Sequence, residues 1–391
     1  MATSKITDLL KIKNNNNIYN SFNNSDIYLY IGKLTEWDSN ELDVGFIVPS
    51  VNVSEIQLKS ELKEIISTKK VSFSDVSIGI KRYNWTYGDI YDPYDAYDEN
   101  LLRKFQYPET NPFYIMTDEY NVYKCLNNNN SSISTEKPTG QFLIPFETSD
   151  GYLWKFMFNV PEEKRVKFLS SDFIPLYSNN EIPLISSQFT VKNAAKNGSI
   201  ERVGVVYGGE NYISGQVSIT VTGDGSGASF TPVLGSSGEI TSIIVNNSGE
   251  NYTEITLTIV DNTTTATPAI IHPHISPQGG HGFNCANELG GFFTIISVDL
   301  IADENSFFPT DISYRKTGLI TGIVDLDNNE ASALRYYGPL NSQYSNTSLK
   351  TSNPEQFIKE DIGSILYINN HVPVFRSSTQ LERAKLVLEN L

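Results

Sequence analysis

Three of the four histidines in this chain lie within ten residues of one another and could together bind a metal ion. They are His272, His274 and His281. Neutral imidazole is a common zinc ligand, and a loop can bring several imidazoles together. However, the chain has no His-Glu-x-x-His pattern, and the only cysteine nearby is Cys285. A zinc site is therefore the alternative interpretation, and we predict that no metal or other cofactor is bound.

The glycine-rich loop over 276–282 is predicted to be structural. Gly279, Gly280 and Gly282 can adopt backbone conformations that a residue with a Cβ atom resists. His281, which stands between two of these glycines, can donate and accept hydrogen bonds through its ring. We therefore expect the glycines to shape the loop and His281 to anchor it.

A stretch rich in tyrosine and aspartate over 85–99 could also carry chemistry. Aspartates recur there at every third position with tyrosines between them: Asp89, Asp92, Asp95 and Asp98, with Tyr87, Tyr91, Tyr94 and Tyr97. A calcium loop of the EF-hand type needs acidic residues at alternate positions and a glycine at the sixth. A glycosidase needs two carboxylates across a cleft, which a local run cannot show. We favour an extended contact segment, because tyrosine is enriched where protein surfaces meet.

No other pattern in the chain is typical of an active site. The run Gly223–Ala228 resembles a phosphate-binding loop, but neither a Lys-Ser/Thr pair nor a helical pattern follows it, so we interpret it as a turn. There is no Gly-x-Ser-x-Gly sequence, and His371 and Cys125 have no recognisable catalytic neighbours. We predict that the protein is not an enzyme.

Charge and composition argue against several classes of partner. The formal net charge is −16, from 29 basic and 45 acidic residues, whereas a protein that holds a nucleic-acid backbone needs a basic face. The longest apolar runs have the length of strands, and the polar N-terminus predicts no signal peptide. Two cysteines cannot build a disulfide framework. We predict neither a nucleic-acid nor a membrane partner.

The fold is predicted to be mainly β, of α+β type with few helices, and the core domain to resemble a β-sandwich or barrel. An aromatic content of 12% with only 19% charged residues suits β-structure. The segment 52–68 is the best helix candidate, because its apolar residues recur at helical spacing after a capping Ser54. Strand-prone runs lie at 27–31, 71–82, 113–116, 122–126, 151–160, 291–300, 319–324, 362–368 and 385–388.

An internal repeat marks a separate module. Residues 200–212 match 240–252 at an offset of 40 residues, and both copies contain Gly-Glu-Asn-Tyr. Two further β runs follow in each copy, the last ending in Thr231–Val233 and in Thr267–Ala269. Each copy is thus a β–turn–β–loop–β unit. We predict an N-terminal core part at 1–196, an inserted β-repeat module at 197–272 and a C-terminal core part at 273–391.

Several stretches, taken in order along the chain, carry a resemblance to a known family. They are Tyr28–Trp37, Arg82–Gly88, Ile90–Asp95, Val122–Asn127, Asp150–Phe156, Ser276–Gly282, Glu288–Phe293, Leu366–Asn370 and Arg376–Gln380. Together they resemble the baseplate wedge subunit of T-even-like contractile-tailed bacteriophages, including its cyanophage relatives. The resemblance spans about 1–190 and 273–391 and leaves the repeat outside. Asn370 departs from the family pattern, which more usually has an arginine there.

The resemblance implies a structural, non-enzymatic subunit of the phage tail. Such subunits join the inner wedge to its outer, fibre-bearing periphery through contacts with other wedge proteins. They form dimers, so we expect a homodimer, located in the virion baseplate after assembly in the host cytoplasm. The interface or structural candidates are Trp37, Trp85, Tyr91, Asp92, Tyr94, Trp154, Gly279, Gly280, His281 and Arg376.

Two other functions stay open on the sequence alone. A tail-associated glycan-binding protein or depolymerase would also be rich in β-structure and tyrosine, but usually contains more than the two repeats found here. A metal-dependent hydrolase would need His272, His274 and His281 to converge on one ion. A glycan array tests the first alternative, and elemental analysis tests the second.

Overall fold

The structure is a computed structural model that describes residues 8–32, 65–96, 98, 101–102, 111–262 and 266–298, and five strands between 316 and 389. Its described α-helices are α1 (Asp8–Asn24), α2 (Glu162–Phe168), α3 (Ser187–Ala194) and α4 (Cys285–Leu289). The first eight described strands are β1 (Ile27–Gly32), β2 (Ile65–Lys70), β3 (Val76–Lys81), β4 (Tyr114–Met116), β5 (Asn121–Asn128), β6 (Phe146–Glu147), β7 (Tyr152–Asn159) and β8 (Phe173–Leu176).

The next six strands lie in the region of the repeat: β9 (Ile200–Tyr207), β10 (Val217–Gly223), β11 (Ser226–Leu234), β12 (Ile240–Glu250), β13 (Ile255–Asp261) and β14 (Ile270–Ile275). The last are β15 (Phe293–Val298), β16 (Lys316–Thr321), β17 (Arg335–Tyr337), β18 (Ser364–Asn369), β19 (Val372–Ser377) and β20 (Ala384–Glu389). The prediction of a mainly β chain with few helices is confirmed. Within the described residues, no helix combines the length and apolarity needed to cross a bilayer.

The helix predicted over 52–68 is wrong at its C-terminal end. Residues 65–68 belong to β2, which pairs antiparallel with β1 and sets Thr68 opposite Tyr30. Ile and Thr are β-branched and favour strands, and the ladder with β1 supplies the hydrogen bonds that a helix would otherwise provide. The rest of the predicted helix, 52–64, lies outside the described residues.

Contacts divide the chain into two compact units. Unit 1 comprises Met1–Arg82, Pro161–Ser178 and Gly290–Leu391. It contains a four-stranded sheet in the order β17-β16-β1-β2 and a six-stranded sheet in the order β19-β18-β20-β15-β3-β8. All neighbouring strands are antiparallel except β18 and β20, which are parallel.

The described core of unit 1 lies around β3 and β15, whose residues are nearly all buried. Gly79 on β3 makes room for Ile295, since a Cβ there would lie 2.7 Å from Ile295 Cδ1. The rings of Phe173 and Phe293 meet edge to face at 4.8 Å. Such close packing makes this part of the sheet sensitive to added volume.

Helix α1 was not predicted, because a run of four asparagines hides its apolar face. Asparagine has poor helix propensity, yet Ile12, Tyr19 and Phe22 recur at helical spacing and are buried. Asn15 is also fully buried on that face. Its Nδ2 donates to the carbonyl oxygens of Gly291 and Phe293, both at 2.9 Å, and its Oδ1 accepts from Thr294 Oγ1 at 2.6 Å. One amide therefore fixes the helix on the start of β15.

Unit 2 comprises Tyr83–Val160 and Asn179–Leu289. It contains a four-stranded antiparallel sheet in the order β4-β5-β7-β6 and three two-stranded ladders. The ladders pair β9 with β14, β10 with β13 and β11 with β12. The first repeat copy contains β9, β10 and β11, and the second contains β12, β13 and β14. Each ladder thus joins a strand of one copy to a strand of the other, and the strand order of the second copy is reversed. This is the pattern of an approximate two-fold axis relating the copies.

The two copies also share their irregularities. The β11–β12 ladder shifts register after Ser229 and after Val233, and the β9–β14 ladder shifts after Ile270 and after His274. Pro232 lies opposite Ile243, and Pro273 lies opposite Val203, which is the repeat equivalent of Ile243. The structural counterpart of Pro232 is therefore Pro273. The sequence match of Thr231–Val233 to Thr267–Ala269 is wrong, because cross-strand register rather than local identity sets the equivalence.

The ends of the repeat meet: Ser276 N donates to the carbonyl of Ser199 at 2.8 Å, and Ser199 N donates to Ser276 Oγ at 3.0 Å. The run Gly223–Ala228 contains the predicted turn: Asp224 and Gly225 connect β10 to β11, and the other residues of the run belong to these two strands. The division at 1–196, 197–272 and 273–391 stays a prediction, although adjacent ends are what an inserted module requires.

We expect Asn15→Ala to lower the free energy of unfolding by about 2–4 kcal/mol, because it leaves two carbonyls and a buried hydroxyl without partners. Asn17→Ala, at an exposed position of the same helix, is the matched control and should change it by less than about 0.5 kcal/mol. Urea denaturation measures both values. Equal effects of the two variants would contradict the anchoring role of Asn15.

Candidate functional site

Three of the sequence-predicted aromatic residues of unit 2, Trp85, Tyr91 and Trp154, come together at one buried cluster. Tyr91 and Trp154 meet at 5.6 Å between ring centroids, and Tyr152 stacks on Trp154 at 5.4 Å. Trp85 packs against the same cluster, and its indole Nε1 donates to Ser134 Oγ at 3.1 Å. These contacts are all within unit 2; Tyr91, Tyr152 and Trp154 are buried core residues, and the partly buried Trp85 packs against them. Their role at an interface stays a prediction.

The hydroxyl of Tyr91 forms two hydrogen bonds to the backbone at the start of the tyrosine- and aspartate-rich stretch. Tyr91 Oη accepts from Thr86 N at 2.7 Å and donates to the Thr86 carbonyl at 3.2 Å. Burial raises the pKa of Tyr91 to about 12, so the hydroxyl stays protonated. Asp92 is partly buried, its N–H donates to the Pro112 carbonyl at 3.1 Å, and its Oδ1 accepts from Asn111 at 3.3 Å. The stretch is thus fixed by local hydrogen bonds.

A buried ion pair lies beside Tyr94. Lys124 on β5 is fully buried and contacts Glu288 on α4, which is 4% exposed. Lys124 Nζ also lies 2.7 Å from His281 Nδ1 and 3.9 Å from the centroid of the Tyr94 ring. Because a protonated lysine only donates, Nδ1 of His281 is the acceptor and carries no proton. We call Lys124, His281 and Glu288 the buried triad.

Backbone N–H groups complete the triad. Gly282 N donates to Glu288 Oε1 at 2.9 Å and to Oε2 at 3.0 Å, and Asn284 N donates to Oε1 at 3.2 Å. The carboxylate is therefore bonded on both oxygens. A buried ion pair is tolerated only when such additional hydrogen bonds are present.

Burial governs the ionisation of this site. It lowers the pKa of Lys124, an effect that Glu288 opposes, and it lowers the pKa of His281, which nearby Lys124 lowers further. Burial also raises the pKa of Glu201, against the attraction of Lys155 and Lys124. The thiols of Cys125 and Cys285 have raised pKa values for the same reason. Lys124, His281, Glu288 and both thiols are buried.

The glycine-rich loop takes the shape predicted for it. Gly279, Gly280 and Gly282 have φ values of +87°, +96° and +89°, in the region that residues with a Cβ atom rarely adopt. A Cβ at Gly280 would lie 2.4 Å from the carbonyl oxygen of Lys196. These conformations bring His281 onto Lys124.

The other two histidines occupy a different environment. His272 and His274 lie on β14 with ring centroids 5.0 Å apart, and His274 Nδ1 lies 3.8 Å from Asp95 Oδ2. Burial lowers the pKa of His274 to about 4, and the positive charge of Arg202 contributes to the same shift. In the part of the chain that the structure describes, no three His, Cys, Asp or Glu side chains are grouped so that they could hold a metal ion.

Two predicted residues cannot be placed in a site. Trp37 lies outside the described residues, and of Arg376 only the backbone is described, opposite Ile365 in the β18–β19 pair. Conversely, Lys124 and Glu288 were not predicted as site residues. The available signal was a lysine between Tyr123 and Cys125 on β5 and a glutamate before Leu289 on α4.

Comparison with known proteins gives one partial similarity. No family model matches the chain. Over 186 residues the chain is 25% identical to the baseplate wedge protein gp8 of Enterobacteria phage T4, a match that covers 40% of this chain and 56% of that protein. The chain thus spans just over half the length of the relative that it matches. The similarity is to a phage baseplate protein.

We expect Gly280→Ala to destabilise the protein by about 3 kcal/mol or more, through both positive-φ strain and collision with the Lys196 backbone. Gly88→Ala is the matched control, since Gly88 has φ +86° and open space around the added Cβ. It should cost only the strain, about 1–2 kcal/mol. Thermal and urea unfolding distinguish the two, and equal losses would show that crowding at Gly280 has no effect.

Stability should fall when the pH is lowered below about 6.5. His281 and His274 have folded-state pKa values below the usual 6.5, His274 at about 4. These two histidines therefore bind protons more readily in the unfolded chain than in the folded one. Their contribution to the free energy of unfolding is complete above pH 6.5 and is lost as the pH falls below it. Each histidine contributes up to about 1.4 kcal/mol per pH unit in that window.

His281→Gln, which retains an acceptor for Lys124, should reduce this pH dependence of the free energy of unfolding between pH 7.5 and 5.5. Gln278→Ala, at an exposed position of the same glycine-rich loop, removes no histidine; it is the control and should leave the pH dependence unchanged. An unaltered slope in His281→Gln would contradict the assignment.

Proposed function

We propose that this chain is a structural subunit of a phage tail baseplate wedge and links the inner wedge to its outer periphery through protein–protein contacts. The observation that carries the proposal is the 25% identity to the baseplate wedge protein gp8 of phage T4 over 186 residues. The motifs at Ile90–Asp95 and Val122–Asn127 add support. They supply Tyr91 to the buried cluster of unit 2, Lys124 to the buried triad, and Tyr94, whose ring contacts Lys124.

The chemistry of the described residues supports a non-enzymatic role. Lys124, His281 and Glu288, which could act in catalysis on an accessible surface, instead bind one another in the interior. The free thiols Cys125 and Cys285 are buried as well. Such a site stabilises a fold, and the proposal assigns the function to the surface.

The proposal includes a homodimer and a place in the virion after assembly in the host cytoplasm. A homodimer of this kind would be isologous, so the same surface would meet its copy. Light scattering of the purified chain should then give about twice the monomer mass of 43.7 kDa. A monomer mass at micromolar concentration would remove the dimer from the proposal.

The decisive test is the presence of the chain in tails. An affinity-tagged copy, produced during infection by a phage that encodes this chain, should co-purify with baseplate proteins. It should also be found by mass spectrometry in washed, purified tails. Deletion of the gene should give particles without functional baseplates, and the wild-type gene should restore them. Absence of the chain from purified tails would overturn the proposal. Binding of the purified chain to a glycan array would then favour the glycan-binding alternative.

A further inference from the structure

The two repeat copies fold alike but differ in chemistry at one end. At the end of β9 the side chains of Val206, Tyr207 and Ile213 are 71%, 43% and 53% exposed. At an offset of 40 residues, the second copy has Asn246, Asn247 and Thr253 in the corresponding places. The fold does not require these apolar residues, because the second copy forms the same structure with polar ones.

A fourth position shows the same contrast. Ile270 lies opposite Tyr207 in the β9–β14 ladder and is 57% exposed. Its structural counterpart is Ser229, which lies opposite Asn247 in the β11–β12 ladder. We call Val206, Tyr207, Ile213 and Ile270 the apolar end patch.

A cross-strand pair and one hydrogen bond hold part of the patch in place. Tyr207 and Ile270 are cross-strand neighbours. Tyr212, which precedes Ile213, accepts a hydrogen bond through its hydroxyl from Ala269 N at 2.8 Å, beside Ile270. Tyr212 itself is 5% exposed, so the loop that carries Ile213 is anchored in the module. A fixed group of apolar side chains around an accessible tyrosine is typical of a protein-binding surface.

Charge selects the kind of partner. The module 197–272 contains seven acidic residues and a single basic one, Arg202. Glu210 is exposed and lies between Tyr207 and Ile213 in the chain, while Glu239 follows Gly238, whose carbonyl accepts from Tyr212 N at 2.9 Å. A second copy docked here would bring acidic rims together, which is unfavourable.

We propose that the apolar end patch docks another protein, through a surface of that protein with an apolar centre and a rim of lysine and arginine. The inference that the partner is a tail protein rests on the proposed function, but the inference that the patch is a docking surface does not. The structure of the second copy also supplies the variant that tests it.

The first experiment identifies the partner. Tyr207 is replaced by the photo-crosslinking residue p-benzoylphenylalanine in cells that produce the complete set of tail proteins. Illumination should link the chain to one other tail protein, through a peptide with more lysine and arginine than aspartate and glutamate. A link to a second copy of this chain, to an acidic peptide or to no protein at all would overturn the proposal.

The second experiment measures the contact with that captured protein after purification. The variant Val206→Asn, Tyr207→Asn, Ile213→Thr, Ile270→Ser places at this end of the module the residues that occupy the equivalent positions at the other end. It should weaken binding by roughly 30-fold or more, since central aromatic anchors dominate interfaces. Ile244→Thr, at an exposed apolar position of β12 outside the patch, is the control and should bind like the wild type. Binding should also weaken from 50 to 500 mM salt.

Further measurements keep the result interpretable. Circular dichroism and thermal unfolding check that the fourfold variant is folded. If it is not, the affinity of the captured protein is measured for the single variants Tyr207→Asn and Ile213→Thr. Equal affinity of these variants and the wild type would overturn the docking surface. If the chain crosslinks to a basic protein but is absent from purified tails, the proposed function fails and the docking surface stands. If the chain is present in tails but the patch variants bind normally, only the docking surface fails.

Discussion

The ammonium group of Lys124 is the constraint on which the local structure of unit 2 depends. A charge that is removed from water is stable only with an opposite charge and a full set of hydrogen bonds. Glu288, Nδ1 of His281 and the ring of Tyr94 supply these contacts. The need to bring them together explains the positive φ angles of the glycine-rich loop, whose Gly282 N–H also binds the Glu288 carboxylate.

Tyrosine has a related role in the same unit, where rings fill the core and hydroxyls reach the backbone of loops. Tyr91 bonds to Thr86, Tyr123 to the Gly140 carbonyl at 2.6 Å and Tyr152 to the Ser132 carbonyl. A phenylalanine in these places would bury a similar area but leave a carbonyl without its partner. The high tyrosine content therefore reflects loops tied to a sheet, in addition to any contact with other proteins.

The repeat shows how one fold can present two surfaces. The turns keep their glycine and tyrosine in both copies, because Gly209 and Gly249 have φ values of +67° and +62° and Tyr212 and Tyr252 are buried. The exposed positions are free of that requirement. There one end of the module carries the apolar end patch, and the equivalent positions at the other end carry amides and hydroxyls. The proposed docking of another protein at the apolar end accounts for this difference.

Local pattern in the sequence was sufficient for the mainly β fold, for strands such as β1, β5 and β7, and for the glycine-shaped loop. It also showed that two copies of one unit are present, because turn glycines and alternating apolar residues depend on near neighbours alone. Helix α1 and strand β2 were decided by tertiary contacts: Asn15 bonds to residues about 280 positions away, and β2 is completed by β1. Lys124, His281 and Glu288 are likewise separated by up to 164 positions. No spacing in the sequence encodes such a contact. The free energy that brings the three side chains together comes from the burial of apolar surface, which offsets the cost of burying their charges and which only the folded chain provides.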